Sequence, residues 1–144
     1  MGGVLAIDVG TRKTGFAFAD ALRILSQPLD VVRAGEDEPE LLEHIQELLD
    51  ERDVSTLLVG LPLHLDGTES ERSRAVLAFV ERLGARFPAL ETVTWNEGLT
   101  TKEADGLLRE AGITGRDAKA RRDSWSALVL LRDWLNSGEP RGAQ

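Results

Sequence analysis

The chain reads as a single α/β domain, a mixed five-stranded sheet in the order βββ-α-β-α-β-α with helices on its faces. Three observations predict it. Short apolar runs near residues 3–9, 14–19 and 29–32 follow one another at hairpin spacing. The later apolar runs, 56–61 and 92–95, alternate with stretches of helical period. No repeat, low-complexity tract or linker divides the 144 residues, and a chain of that length buries one core. The domain is expected to span 1–136, with a short flexible tail at 137–144.

Each element has its own signal. Residues 3–9 and Thr14–Ala19, the latter with Phe16 and Phe18 on one side, predict two strands. Thr11–Thr14 between them is a hairpin-like connection whose geometry Gly10 and Gly15 would relieve. Pro28 then precedes a third strand, Leu29–Val32, which completes an antiparallel meander. Leu41, Leu42, Ile45, Leu48 and Leu49 fall at i, i+1, i+4, i+7 and i+8, one face of a helix. Pro39 suits its first turn, and the acids before it suit its N-terminal dipole. Thr56–Leu61 is an unbroken apolar run, as expected of a central strand buried on both faces.

The second half of the chain continues the alternation. Thr68-x-x-Glu71 has the pattern of a capping box, opening a helix built on Val76, Phe79, Val80 and Leu83. Thr92–Trp95 is a fifth strand. Thr100-x-x-Glu103 opens a short helix through Ala104, Leu107 and Leu108, stopped by Gly112. A basic, glycine-containing loop then leads to a last helix at 123–135.

Composition narrows the chemistry. Hydrophobic residues make up 42% and charged residues 29%, the balance of a soluble globular protein. No apolar run approaches the roughly 18 residues that cross a bilayer, and nothing resembles a signal peptide, so a cytoplasmic protein without membrane contact is expected. With no cysteine, disulfides, zinc–thiolate sites and cysteine nucleophiles are excluded. The net charge of −8 is uneven: residues 31–60 hold nine acids against Arg33 and Arg52, which leaves the rest of the chain at −1. Phosphate contact depends on local Lys and Arg, so the global charge argues only weakly against a nucleic-acid partner.

Three acids stand at element ends rather than on solvated helix faces. Asp8 ends the first strand, Glu97 follows the fifth, and Asp123 begins the last helix. Asp123 shares a helix face with Ala127, Leu130 and Trp134, which leans it toward the sheet. Open α/β sheets gather functional groups where strands end, so these distant positions can meet. Clustered carboxylates must protonate or bind a cation, and oxygen-only ligands favour magnesium or manganese. Two such ions about 4 Å apart activate water and stabilise the leaving oxygen in phosphodiester cleavage. Taken singly, each acid has a plainer use: Asp8 accepting turn N–H groups, Glu97 assisting the next helix, Asp123 as an N-cap.

Four blocks carry a resemblance: "AIDVGTRKTGFAFAD" (6–20), "VGLPLHLDGT" (59–68), "NEGLTTKEA" (96–104) and "RDSWSALVLL" (122–131). With their spacing they cover nearly the whole chain, which resembles the YqgF/RuvX family of Holliday junction resolvases. The resemblance implies a ribonuclease H-like fold and a catalytic, metal-holding set of Asp8, Glu97 and Asp123. It also implies a metal-dependent nuclease using magnesium or manganese, two ions being expected. Its substrates would be the 5′ end of precursor 16S rRNA and, by analogy to RuvC, branched DNA.

Arg116, Lys119, Arg121 and Arg122 crowd ahead of Asp123, giving +3 over 116–122, and are read as phosphate-binding; the alternative is a solvated loop. Arg12 and Lys13 would serve the same purpose from the other side. Asp66 is read as a turn residue rather than a fourth ligand, His64 as a surface side chain, and His44 as having no catalytic role. Trp95 and Trp134 look like core, whereas Trp125 either stacks on a base or packs against the neighbouring loop. An actin-like ATPase, suggested by Asp-x-Gly-Thr, needs two such domains and is set aside. The remaining alternative is a non-catalytic binding or assembly factor that retains the fold, its acidic helix docking a basic protein.

Two departures from the family pattern stand out. Asn96-Glu97-Gly98 replaces the usual Asp-Glu-Arg, and Trp125-Ser126-Ala127 alters a segment of paired small residues. Metal binding is expected to persist while substrate grip shifts. Gly98→Arg should therefore strengthen nucleic-acid binding or change its preference, read by fluorescence anisotropy against RNA and junction DNA. Unchanged affinity and preference would remove the arginine from the argument.

Overall fold

The computed structural model describes residues 2–63, 66, 68–96 and 106–141, apart from the side chains of 116–121 and 123. Three strands open the chain: β1 (Gly3–Asp8), β2 (Thr14–Ala19) and β3 (Ser26–Val32). They pair antiparallel as the expected meander. Helix α1 (Pro39–Asp50) leads to β4 (Val54–Leu61), and α2 (Glu71–Arg86) leads to β5 (Glu91–Asn96). Residues 106–110 are helical (α3), and α4 (Gly115–Asn136) closes the fold.

The sheet order is β3-β2-β1-β4-β5, with β4 parallel to both β1 and β5. Parallel strands must be covered on both faces, and two cores do this. On one face Leu5, Ile7, Phe16, Leu57 and Val59 meet Leu41 and Ile45 of α1 and Val76, Phe79 and Leu83 of α2. On the other, Val4, Ala6, Ala17, Leu58 and Val93 meet Ala127, Leu130, Leu131 and Trp134 of α4. The small residues Ala6 and Ala17 lie on the face that receives the long helix, while the larger Phe16 fills the opposite side. Pro28, expected before β3, lies inside it, which an edge strand tolerates.

Two helix starts differ from their sequence expectation. The cap of α2 is Ser70, paired reciprocally with Ser73, and not Thr68 with Glu71. Thr68 is drawn elsewhere: its amide and hydroxyl both donate to Asp66 Oδ1, at 2.9 and 2.7 Å. Asp66 is thus a turn residue in an Asx arrangement. The last helix begins at Gly115, eight residues before the expected start, so 116–122 form helix and not a loop. Apolar periodicity begins only near Ser124, but Ala, Lys and Arg are strong helix formers and carry the helix back without it. Asp123 is consequently an interior helical residue and not an N-cap. Upstream, Gly112 at φ +77° ends α3 as expected, with the Ile113 amide reaching back to the Leu108 carbonyl at 2.9 Å. The pattern at Thr100 and Glu103 lies outside the described residues.

The segment after Asn136 is tied to the domain as far as Arg141. Glu139 meets Arg23 with both carboxylate oxygens, and Trp134 Nε1 donates to the Pro140 carbonyl at 3.0 Å. Arg141 pairs with Glu91 and lies 4.9 Å from the Trp134 ring centre. Trp134 is fully buried, as expected of core. Replacing it by Ala should cost about 3–5 kcal/mol of stability, measured by urea unfolding, through lost packing and the cavity left behind.

Candidate active site

Parallel pairing brings Asp8, Leu61 and Asn96, the last residues of β1, β4 and β5, to one edge of the sheet. The turn 9–13 and the end of β3 lie there too, since Thr14 pairs with Val32. Strand alternation puts Asp8 on the face of Val4 and Ala6, the face covered by α4. Asp8 is half-buried, and its backbone pairs with Gly15.

Helix α4 reaches the same edge. Ser124 is buried, and its hydroxyl donates to the Leu29 carbonyl of β3. Leu29 pairs with Phe16 and Phe16 with Ile7, so Ser124 sits level with the row just before Asp8. The nine helical residues ahead of Ser124 add about 13 Å of helix. Position 123 is four, seven and eleven residues before buried Ala127, Leu130 and Trp134, the helical register the sequence predicts.

The predicted residues fare differently. Asp8 lies at the sheet end as expected, and Asp123 has its backbone in α4, one residue before Ser124, its side chain lying outside the described residues. Glu97 lies outside the described residues; β5 ends one residue before it. Arg12 and Lys13 are exposed on the turn beside Asp8. Arg122 is half-buried in α4, and Arg116, Lys119 and Arg121 are placed by their helical backbone alone. Among the described residues no three His, Cys, Asp or Glu side chains gather as a metal site. His44 packs its ring 5.4 Å from Phe16, on the face away from α4. His64 lies outside the described residues. Trp125 is half-buried, and Trp95 donates to Asp133 at 2.7 Å.

Sequence reasoning missed the brace under the Asp8 turn. Glu36 is only 7% exposed and meets both arms of the Arg72 guanidinium, at 2.5 and 3.2 Å. Arg72 Nη2 also donates to the Val9 carbonyl at 2.9 Å, and Arg82 donates to the Glu36 carbonyl at 2.7 Å. The Glu36 amide donates to the Gly10 carbonyl, and the Thr14 hydroxyl to the Ala34 carbonyl. Gly10 and Gly35 serve close approach: a Cβ on Gly35 would overlap the Thr11 carbonyl, and one on Gly10 the Lys13 carbonyl. No periodic signal marks Glu36, which stands in an acidic run and meets a partner 36 residues away.

The chain matches the family model described as RuvX: Holliday junction resolvase over residues 2–137. A protein of Anaeromyxobacter sp., named as a candidate pre-16S rRNA nuclease, is 39% identical, covering 92% of this chain and 95% of its own. A Staphylococcus aureus protein of the same name is 31% identical over 93% and 95%. Among solved structures, Thermus thermophilus RuvC with a Holliday junction substrate superposes with TM-score 0.59 at 16% identity, over 98% and 99% of the two chains. The fowlpox virus resolvase with its junction DNA gives 0.60 at 10% identity, over 96% and 99%. These structures share the fold.

Burial is the largest single influence on the Glu36 carboxyl and pushes it up. The Arg72 hydrogen bond, its own backbone N–H and the charges of Arg72 and Arg82 together outweigh burial, and the carboxyl titrates below its ordinary range. A carboxyl lowered by folding contributes stability that is whole above its unfolded value, about 4.3, and lost as pH falls through the folded one. Glu36→Gln should therefore show a lower melting temperature at neutral pH and a shallower decline below about pH 4.3, measured by thermal unfolding across pH.

Proposed function

The chain belongs to the RuvX Holliday junction resolvase family, and from that membership we propose a divalent-metal-dependent nuclease that hydrolyses phosphodiester bonds. Its substrates would be the 5′ end of precursor 16S rRNA and branched DNA of the Holliday-junction kind, in the cytoplasm. The observation that carries this reading is the half-buried Asp8 carboxylate at the meeting edge of three parallel strand ends, on the face that α4 covers.

The donor set fits a hard cation. Asp8 supplies carboxylate oxygens on the α4 face, and Glu97 and Asp123 would complete an all-oxygen set suited to magnesium or manganese. One or two such ions supply Lewis acidity that activates water and neutralises charge on the phosphodiester. The chain's own residues do the rest. Arg12 and Lys13 on the turn, with Arg116, Lys119, Arg121 and Arg122 on α4, would hold the nucleic-acid backbone on either side of Asp8. These contacts position substrate without reading its sequence, which suits recognition by shape in structured RNA or branched DNA.

Asp8→Asn keeps the size of the side chain while removing its charge, so folding should persist. Cleavage should fall at least about 100-fold across a panel of precursor-like RNA, single-stranded RNA, four-way junctions and flaps, each with magnesium or manganese. Full activity in that variant would sink the catalytic assignment. A wild-type protein that binds these substrates without cutting any would favour the non-catalytic assembly factor, the reading that the loss of the usual acid at Asn96 supports.

A further inference from the structure

Asp8 is the last residue of β1, and the two peptide groups that follow it leave the sheet. One ends on the side chain and the other on the main chain of two residues that form an ion pair. The Val9 carbonyl accepts from Arg72 Nη2 at 2.9 Å, and the Gly10 carbonyl accepts from the Glu36 amide at 3.1 Å. Arg72 and Glu36 are themselves locked by the two-armed contact between guanidinium and carboxylate. Glu36 is fixed again from behind by Arg82, and the loop that carries it is pressed against Thr11 at Gly35. The turn therefore hangs from α2 and from the loop after β3.

We propose that the Arg72–Glu36 pair positions Asp8, setting the backbone from which the metal-holding carboxylate projects. The inference rests on the proposed role of Asp8 as a ligand. Glu36 is buried while about a third of the Arg72 side chain (32%) stays exposed. Burying that carboxylate carries a desolvation cost that an apolar residue of similar volume would avoid, so stability alone is a poor reason for the pair. What the pair adds is direction. A planar guanidinium offers donors in a fixed fork, so holding Glu36 with two arms aims the remaining donor at Val9. A lysine would keep the charge and lose the fork. Metal ligands must be held within about 0.5 Å of their working geometry, and a strand end followed by a free turn does not supply that. Arg72 touches neither substrate nor metal in this account and is a positioning residue.

Two variants test it in the full-length protein. Glu36→Gln/Arg72→Gln removes both charges together and leaves no unpaired ion, while Arg72→Lys keeps the charge without the fork. Binding of Mn²⁺ would be followed by the electron paramagnetic resonance of the free ion. Hydrogen exchange would be read at residues 9–14, and kcat and KM on the best cleaved substrate. The expected result in both folded variants is Mn²⁺ affinity and kcat each lower by about 10-fold, KM within twofold, and faster exchange at 9–14. A folded double variant with wild-type Mn²⁺ affinity and kcat overturns the proposal, as does failure of both variants to fold, which would assign the pair to stability. Asp8→Asn separates the two readings: if it binds Mn²⁺ and cleaves normally, the ligand role of Asp8 has failed. If it loses both while the brace variants keep both, only the positioning has failed.

Discussion

Parallel pairing of β1 with β4 and of β4 with β5 is the constraint from which the site follows. In a parallel set every strand ends on the same edge, whatever the distance along the chain. The register makes this concrete: Ile7 pairs with Val59 and Val59 with Thr94, so one row crosses the three strands just before their ends. Such strands are buried on both faces and need a helical layer on each. The connections through α1 and α2 both cover one face. The other is left to α4, which is pinned near its N-terminal half to β3 through Ser124.

That packing has a second effect on chemistry. A basic loop would let its cations wander, and each contact with phosphate would then carry the entropy of ordering the chain. In a helix the backbone spacing is already fixed: positions 116, 119 and 123 lie on one side within about two turns. Buried Ser124 ties this stretch to β3 through the Leu29 carbonyl, so the helix cannot slide along the sheet without breaking a buried hydrogen bond. The turn after Asp8 is tied independently, through the Val9 carbonyl, by Arg72 from the opposite face. Two separate anchors, one on each side of the sheet, thus hold α4 to β3 and the turn after β1 to α2.

Most of the architecture was legible in the sequence because burial writes itself as period. Leu41, Ile45 and Leu48 announce α1, and the unbroken run before Gly60 announces the central strand. What was not legible lacked period or distance information. Residues 115–122 carry no apolar stripe, and the propensity of Ala, Lys and Arg accounts for their helix. Thr68 satisfied the capping pattern but was claimed by Asp66, a competition between two local hydrogen bonds that a pattern cannot rank. Of the candidate site, Asp8 was legible as a carboxylate at the end of a buried run. The brace was not: Glu36 looks like one more member of an acidic stretch until Arg72 is brought to it from another element.

The acidic stretch itself no longer conflicts with a polyanionic substrate once it has a place. Glu40, Glu43, Glu47 and Asp50 lie on α1, and α1 packs on the face opposite α4. Two helices with a sheet between them stand roughly 20 Å apart, given a helix diameter of about 10–12 Å. The Debye length at physiological ionic strength is about 8 Å, so across that gap the repulsion between α1 and a phosphate held near α4 is largely screened. Glu36, the acid of that stretch nearest Asp8, is neutralised in place by Arg72. The proposed short-range attraction at the turn and at α4 would then set the local field while the chain as a whole stays acidic. Low salt removes the screening, so the same arrangement would make long-range encounter with nucleic acid less favourable there than local contact implies.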